Sequence, residues 1–151
     1  MMFLLDTHVV SELRKRNADV NVLHWSRIQL ASSLFVSSIT ILELETGILR
    51  IERNDPTQGA ALRMWLDHHV LNAFAGRILP IDTQVAKRCG HLHVHDPRSE
   101  CAGLIAATTL LHVMMLVTRN TVDFEFCGAA LLNPWISQLN EETAHHSSAL
   151  L

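Results

Sequence analysis

The feature that most restricts this chain is a set of short apolar runs in which polar and apolar residues do not alternate. Met2 to Leu5, Ser33 to Ser38 (SLFVSS), Arg77 to Ile81 (RILPI), Met114 to Thr118 (MMLVT) and Ala130-Leu131-Leu132 all have this character. A strand with one wet face alternates, because successive side chains point to opposite sides. A strand that is apolar throughout needs cover on both faces, which is the condition of a parallel sheet between helices. Helical segments are expected in the gaps. They are Ser11 to Arg16, Val20 to Ile28, Thr40 to a stop at Asn54-Asp55-Pro56, Gln58 to Leu71, Thr83 to His91 behind an Asp82 cap, and a helix from an Ser99 N-cap to about His112. Alternating strands and helices of this kind predict an α/β fold with a central parallel sheet.

A chain of 151 residues suits one domain with one core. No apolar run reaches the roughly 18–20 residues of a spanning helix. The opening MMFLLDTH is too short and too soon acidic for a signal peptide, so a cytoplasmic location is expected. Cys89, Cys101 and Cys127 are an odd number without a CxxC pair and read as reduced thiols, not a disulfide framework. The net charge of −3 gives no global basic excess, whereas nucleic-acid binders usually carry one. The Arg14-Lys15-Arg16 cluster and the arginines Arg98 and Arg119 permit a polyanionic substrate without arguing for one. The domain is expected over residues 1–136, with residues 137–151 as a polar, frayed tail.

In an open parallel sheet, ligands bind beyond the carboxyl ends of the strands. Asp6 closes the first strand, Glu43 is expected in the first turn of the helix after the second, and Asp123 follows MMLVT by five residues. Converging carboxylates repel one another unless a cation neutralises them, and hard oxygen donors suit Mg²⁺ or Mn²⁺. Such an ion generates a hydroxide nucleophile and stabilises charge growing on a phosphate. The implied chemistry is metal-dependent phosphoester cleavage, with Thr7, Arg119 and Asn120 as candidate substrate contacts. Each acid also has a plain reading. Asp6 before Thr7 fits an Asx turn, Thr40 and Glu43 fit a capping box, and Asp123 can cap a turn. The argument therefore rests on the three together. His91, His93 and His95 would share a face if extended, but a helix end followed by a solvated loop is the simpler reading. His8, beside Asp6, is a candidate contact whose plain reading is a hydrogen-bonded turn histidine.

The segments LLDTHVVSE, ITILELETGI, GRILPID, LIAATTLLH, LVTRNTVDF and LLNPW, in this order, resemble PIN-domain ribonucleases of the VapC toxin type, close to the FitB-like branch. The resemblance covers about Met2 to Trp135. It implies a PIN domain: a three-layer α/β/α sandwich around a parallel sheet of four to five strands. It also implies Mg²⁺- or Mn²⁺-dependent RNA cleavage, a cognate VapB-type antitoxin, a homodimer able to join larger toxin–antitoxin assemblies, and operator DNA bound through the antitoxin. Carried over by position, Asp6 and Glu43 are the first two acids of the site. The third normally opens the helix that here reads Cys101-Ala102-Gly103-Leu104-Ile105-Ala106-Ala107, so Ala102 stands where an acid is expected. Asp123 is the carboxylate available for the fourth position, with Asn120 an amide. His8 replaces a commoner asparagine.

A lost carboxylate removes negative charge and a fixed ligand, and Glu100, two residues away, lies on another side of the helical turn. The chain as written is expected to be weakly active or inactive. The competing function is a non-catalytic partner that sequesters an antitoxin and tunes transcription. A generic phosphatase ranks last, for want of a phosphoenzyme motif. Trp25 and Trp65 sit on helices that an antitoxin helix could use, although ordinary core is the plainer reading for each.

Overall fold

The computed structural model describes residues 1–136, and the tail expected at 137–151 lies outside them. Five strands form one sheet: β1 (Phe3–Leu5), β2 (Leu34–Ser37), β3 (Ile78–Leu79), β4 (Met115–Val117) and β5 (Ala130–Leu132). Their order is β3-β2-β1-β4-β5 and every pairing is parallel. Eight α-helices connect or flank them: α1 (Thr7–Arg14), α2 (Val20–Ile28), α3 (Ser38–Asn54), α4 (Pro56–Met64), α5 (Leu71–Ala73), α6 (Thr83–His95), α7 (Glu100–Leu111) and α8 (Thr121–Phe124).

The unbroken apolar character of the strands follows from cover on both sides. In β1, Phe3 and Leu5 point into a cluster with Val9, Val22, Trp25, Leu44, Ile48, Leu62 and Val70, drawn from α1 to α4 and the segment behind them. Leu4 points the other way, into a cluster with Ile39, Ile105, Ala106, Leu116 and Phe124. Neighbouring residues of one strand thus serve two cores, as a period of two requires. The expected α/β/α sandwich is the observed one. Trp25 belongs to the first core, buried and edge-on to Phe3 with ring centroids 5.1 Å apart.

Several boundaries differ from the sequence expectation, each for a physical reason. The first helix begins at Thr7 and not at Ser11, because Asp6 is itself the N-cap and accepts the Thr7 N–H at 2.8 Å. The third begins at Ser38, with Ser37 as cap accepting from the Ile39 N–H at 3.0 Å, and not at Thr40. Asp55 and Pro56 do end α3, and at once open α4, where Asp55 accepts from the Gln58 N–H and Pro56 sits at the first helical position. The segment Gln58 to Leu71 is not one regular helix: Trp65–Val70 forms a π-helical turn between α4 and α5. Helix α6 runs on to His95, so His91, His93 and His95 are spaced about 100° apart per residue and do not share an extended face.

The small residues of α7 divide their work. Ala106 faces the sheet core, but Ala107 joins Val85 and Cys89 of α6. Gly103 also serves α6 and not the sheet, since a Cβ there would lie 2.9 Å from both the Cys89 Sγ and the His93 ring. A tighter approach is found at Gly59 of α4, where a Cβ would sit 2.8 Å from the Glu52 Cα of α3. Backbone cannot yield as a side-chain tip can. Gly59→Ala is therefore expected to cost about 1–3 kcal/mol by overpacking. Gly90→Ala, at an exposed helical position with open space around it, should add about 0.5–1 kcal/mol. Denaturant unfolding of the two variants beside the parent would show opposite signs; equal effects would contradict the close α3–α4 packing.

Candidate active site

The site is built where β1 and β4 end. The register pairs Leu5 with Val117, so the next residues, Asp6 and Thr118, come level. The Asp6 N–H donates to the Val117 carbonyl at 2.9 Å, extending the ladder by one rung. Asp6 is then held at both oxygens. Oδ1 accepts the Thr7 N–H at 2.8 Å and Oδ2 accepts the Thr118 hydroxyl at 2.8 Å. Both Asp6 and Thr118 are buried. A buried carboxylate is tolerable only with such donors. The Asx-type capping role and a functional role are therefore both served by the same side chain.

Thr7 carries the arrangement to α3. Its hydroxyl donates to the Glu43 Oε1 at 2.8 Å. Thr40, fully buried, places its own hydroxyl 3.1 Å from that of Thr7. With the single Thr7 proton committed to Glu43, Thr40 is the donor in that second contact. The capping-box reading of Glu43 falls away here: Ser37 is the cap, and Glu43 lies a full turn beyond the first, exposed and turned to Thr7. The result is a continuous chain, Thr118 to Asp6 to Thr7 to Glu43, joining the ends of β4, β1 and the second turn of α3.

Helix α7 brings its N-terminus to the same place. Ser99 caps it by accepting the Ala102 N–H at 3.3 Å, and α7 packs on α3. The Cys101 thiol is pushed above its ordinary value by burial, then by the negative charges of Glu43 and Glu100. Glu43 and the first turn of α7 are thus electrostatic neighbours, and Ala102, partly buried in that turn, contributes only a methyl group.

The other candidates are more loosely placed. Asp123 lies exposed in the first turn of α8. Among the described residues, no group of three His, Cys, Asp or Glu side chains is arranged to hold one ion, so Asp123 does not close a three-carboxylate cluster with Asp6 and Glu43. The Asn120 N–H donates to the Thr118 Oγ1 at 3.1 Å, tying its loop to Asp6 through one residue. The Arg119 guanidinium lies over the Trp135 ring at 5.2 Å. His8 Nδ1 is 3.8 Å from Asp6 Oδ2 and its side chain is mostly exposed. That distance is beyond a hydrogen bond, so the turn-histidine reading is not realised in this geometry. Thr118 was not singled out in the sequence, and Thr40 was read only as half of a capping box. For Thr118 a signal existed: a hydroxyl closes MMLVT as Asp6 closes MFLL, one residue past the paired positions.

Asp6 and Glu43 open into a cavity of about 330 Å³, lined also by Arg14, Ile48, Leu62 and Trp65. The pair fits a hard divalent cation: both are oxygen donors, and Mg²⁺ commonly takes one or two carboxylates while keeping several waters. No helix among the described residues is long and apolar enough to cross a membrane.

A parallel sheet in the order β3-β2-β1-β4-β5, covered by helices on both faces and with Asp6 at a strand's carboxyl end, is a doubly wound α/β domain. Residues 3–126 match the PIN domain family, and the chain belongs to it. It is similar to the VapC ribonuclease Y4jK of Sinorhizobium fredii, 35% identical over 139 residues that cover 89% of this chain and 98% of the relative. It is also similar to the toxin FitB of Neisseria gonorrhoeae, 32% identical over 139 residues that cover 89% and 99%. Among solved structures, the crystal structure of FitAcB from Neisseria gonorrhoeae superposes with a TM-score of 0.82 at 31% identity, covering 89% of this chain and 99% of that one. The structure of FitAB bound to an IR36 DNA fragment superposes with a TM-score of 0.81 at 30% identity, covering 91% and 98%.

Two measurements test the geometry. Thr118→Val keeps the shape but leaves the buried Asp6 Oδ2 without its donor, and should cost about 1–3 kcal/mol of unfolding free energy. Thr118→Ser should recover most of it, and equal stability of the Val and Ser variants would remove the proposed hold on Asp6. For Cys101, the raised thiol value means that thiolate forms later as pH rises, and the thiolate is the nucleophile. Alkylation by iodoacetamide should therefore begin at a higher pH than for an ordinary cysteine. Glu43→Gln should move that onset down, because one of the opposing charges is gone; an unmoved onset would separate Glu43 from the α7 N-terminus.

Proposed function

We propose that this chain is the toxin of a VapBC-type toxin–antitoxin pair, built as a divalent-cation-dependent endoribonuclease whose chemistry is strongly weakened by alanine at position 102. One observation carries the reading. The hydrogen-bonded chain from Thr118 through Asp6 and Thr7 to Glu43 is complete, and the first turn of α7, near enough for the Glu43 charge to act on the Cys101 thiol, carries alanine at position 102. The ribonuclease and toxin names of the relatives support the substrate and the role.

Asp6 and Glu43 are the residues that would hold Mg²⁺ or Mn²⁺, with Asp123 the further carboxylate after β4. When bound, such an ion supplies stabilisation of charge on a phosphate and lowers the pKa of water. The residues of the chain supply the placement. The Thr7 N–H and Thr118 hydroxyl fix the Asp6 oxygens, and the Thr7 hydroxyl sets the angle of Glu43. Fixed donors and acceptors of this kind lower the reorganisation a reaction needs. Asn120 and Arg119, on the loop that Thr118 anchors, are the substrate contacts of this reading. An antitoxin partner, a homodimer, and operator DNA reached through the antitoxin complete the proposal. The FitAB complex bound to DNA supports it by analogy.

Ala102 also favours a second reading, in which the chain acts without catalysis as the antitoxin-binding member of an autoregulatory complex. Ala102→Asp separates the two. Losses in the surroundings of a metal typically change affinity or activity about 10–100-fold. The revertant should therefore cleave RNA in the presence of Mg²⁺ at least that much faster than the parent. Chelation of the metal, or Asp6→Asn in the revertant, should return the rate to the parent level. A revertant that cuts no faster than the parent sinks the site assignment.

A further inference from the structure

The cavity that opens from Asp6 and Glu43 ends at Trp65, and what stands there is not ordinary core. Trp65 packs against the first core cluster with part of its surface exposed. It begins the π-helical turn Trp65–Val70, the irregular step inside the α4–α5 region. Turns of this kind shift the direction of the side chains that follow the regular spiral and recur at functional sites. The Arg14 guanidinium, from the last turn of α1, lies over the Trp65 ring at 5.7 Å. Both residues line the acid-bearing cavity and also the smaller one behind it, formed by Val10, Leu13, His69 and Phe74. The Arg14–Trp65 pair is therefore the partition between the two spaces and the far wall of the first.

A guanidinium lying over an aromatic ring offers a surface that matches a nucleobase. Bases stack on aromatic side chains and on arginine guanidinium planes alike, in a sequence-tolerant manner. The rest of the cavity agrees with that occupant. Leu44, Ile48, Ile51 and Leu62 form an apolar lining, which suits the edges of a base or sugar and not a bare phosphate. Arg14 is followed by Lys15 and Arg16 at the open end of α1, where the next phosphate of a strand would be neutralised. Lys15 is paired with Glu12 at 2.9 Å, which leaves Arg14 and Arg16 as the cations for that purpose.

We propose that Arg14 and Trp65 form a nucleobase-binding subsite for single-stranded RNA, taking a base of the strand whose phosphate lies at Asp6 and Glu43. The proposal deepens the nuclease reading and rests on it for the identity of the strand. It makes Trp65 a substrate-binding residue and Arg14 a contact to both base and backbone. It also implies that substrate must be unpaired at that position, since a base within a duplex cannot reach a stacking wall.

The test uses binding, which the weakened cleavage of the proposed function permits. Labelled single-stranded RNA of about 8 nucleotides, within the usual footprint of such sites, is titrated with the full chain in Mg²⁺ and read by fluorescence anisotropy. Trp65→Phe should stay within about threefold of the parent, and Trp65→Ala should weaken binding about 10–100-fold. Arg14→Gln, at an exposed position that leaves folding intact, should weaken it about 5–10-fold. An abasic substitution at one position of the RNA should reproduce the Trp65→Ala loss, and the two together should lose no more than either alone.

The proposal is overturned if Arg14→Gln and the abasic scan both leave affinity unchanged. It is equally overturned if the cavity binds a cationic amphipathic peptide for which RNA does not compete, since the groove is then a protein-docking site. The two readings fail separately. If Ala102→Asp cleaves RNA with a KM that neither Arg14→Gln nor Trp65→Ala alters, the subsite falls and the nuclease stands. If Ala102→Asp does not cleave while binding still depends on Trp65 and Arg14, the nuclease falls and the subsite stands.

Discussion

The hydrogen bond between Thr118 and Asp6 is the contact on which the site depends. It joins the ends of two neighbouring strands across 112 residues of sequence, and it exists only because β1 and β4 pair in one register. A slip of one residue would turn every side chain of β1 to the opposite face. Phe3 and Leu5 would then exchange cores with Leu4, and Asp6 would lose the hydroxyl that satisfies it. Core packing and site geometry are thus protected by the same constraint. The apolar runs that make the sheet are what hold the carboxylate in place.

That coupling explains what was legible in the sequence. Unbroken apolar strands alternating with helical segments require a covered parallel sheet, and the sheet, its strands and its three layers follow. The start of α1 was not legible, because Asp6 was weighed as turn or site residue when it caps α1 and also accepts from Thr118. The cap of α3 was missed for a related reason. Thr40 and Glu43 have capping-box spacing, but Ser37, the next-to-last residue of the strand-like SLFVSS run, takes the cap and leaves Thr40 buried against Thr7. Local patterns of this type compete, and only tertiary contact decides between them. The preferred reading of a helix end at His91 followed by a solvated loop failed because α6 continues through His93 to His95. The role of Gly103 was half visible: a small residue signals close approach, but not whether sheet or helix is the neighbour.

The π-helical turn at Trp65–Val70 is the clearest case of information that periodicity does not carry. One extra residue within a turn leaves the apolar pattern of Gln58 to Leu71 almost unchanged, since Leu66 and Val70 stay buried. Trp65, which begins that turn, packs on the first core while also lining the cavity. A tryptophan on an amphipathic helix is rightly read as core in the absence of coordinates. Its contact with Arg14 and its position opposite two carboxylates become visible only when α1, α3 and α4 are assembled.

Position 102 separates two properties that a complete site combines. The hydrogen bonds that fix Asp6 and Glu43 run through Thr7 and Thr118, and none of them involves α7. Loss of an acid from α7 can therefore remove charge from the site without disturbing the side chains that remain. It also relieves repulsion, because carboxylates brought together without a cation destabilise the fold that holds them. The Cys101 thiol, pushed up by Glu43 and Glu100, already registers the negative field at that helix end. A chain with alanine there should fold at least as well as one with an acid, and retain every surface that recognises a strand or a partner. On the proposed reading, chemistry is the one property that an acid at position 102 would supply. A nuclease fold of this kind would then keep its binding functions while its catalytic strength is weakened.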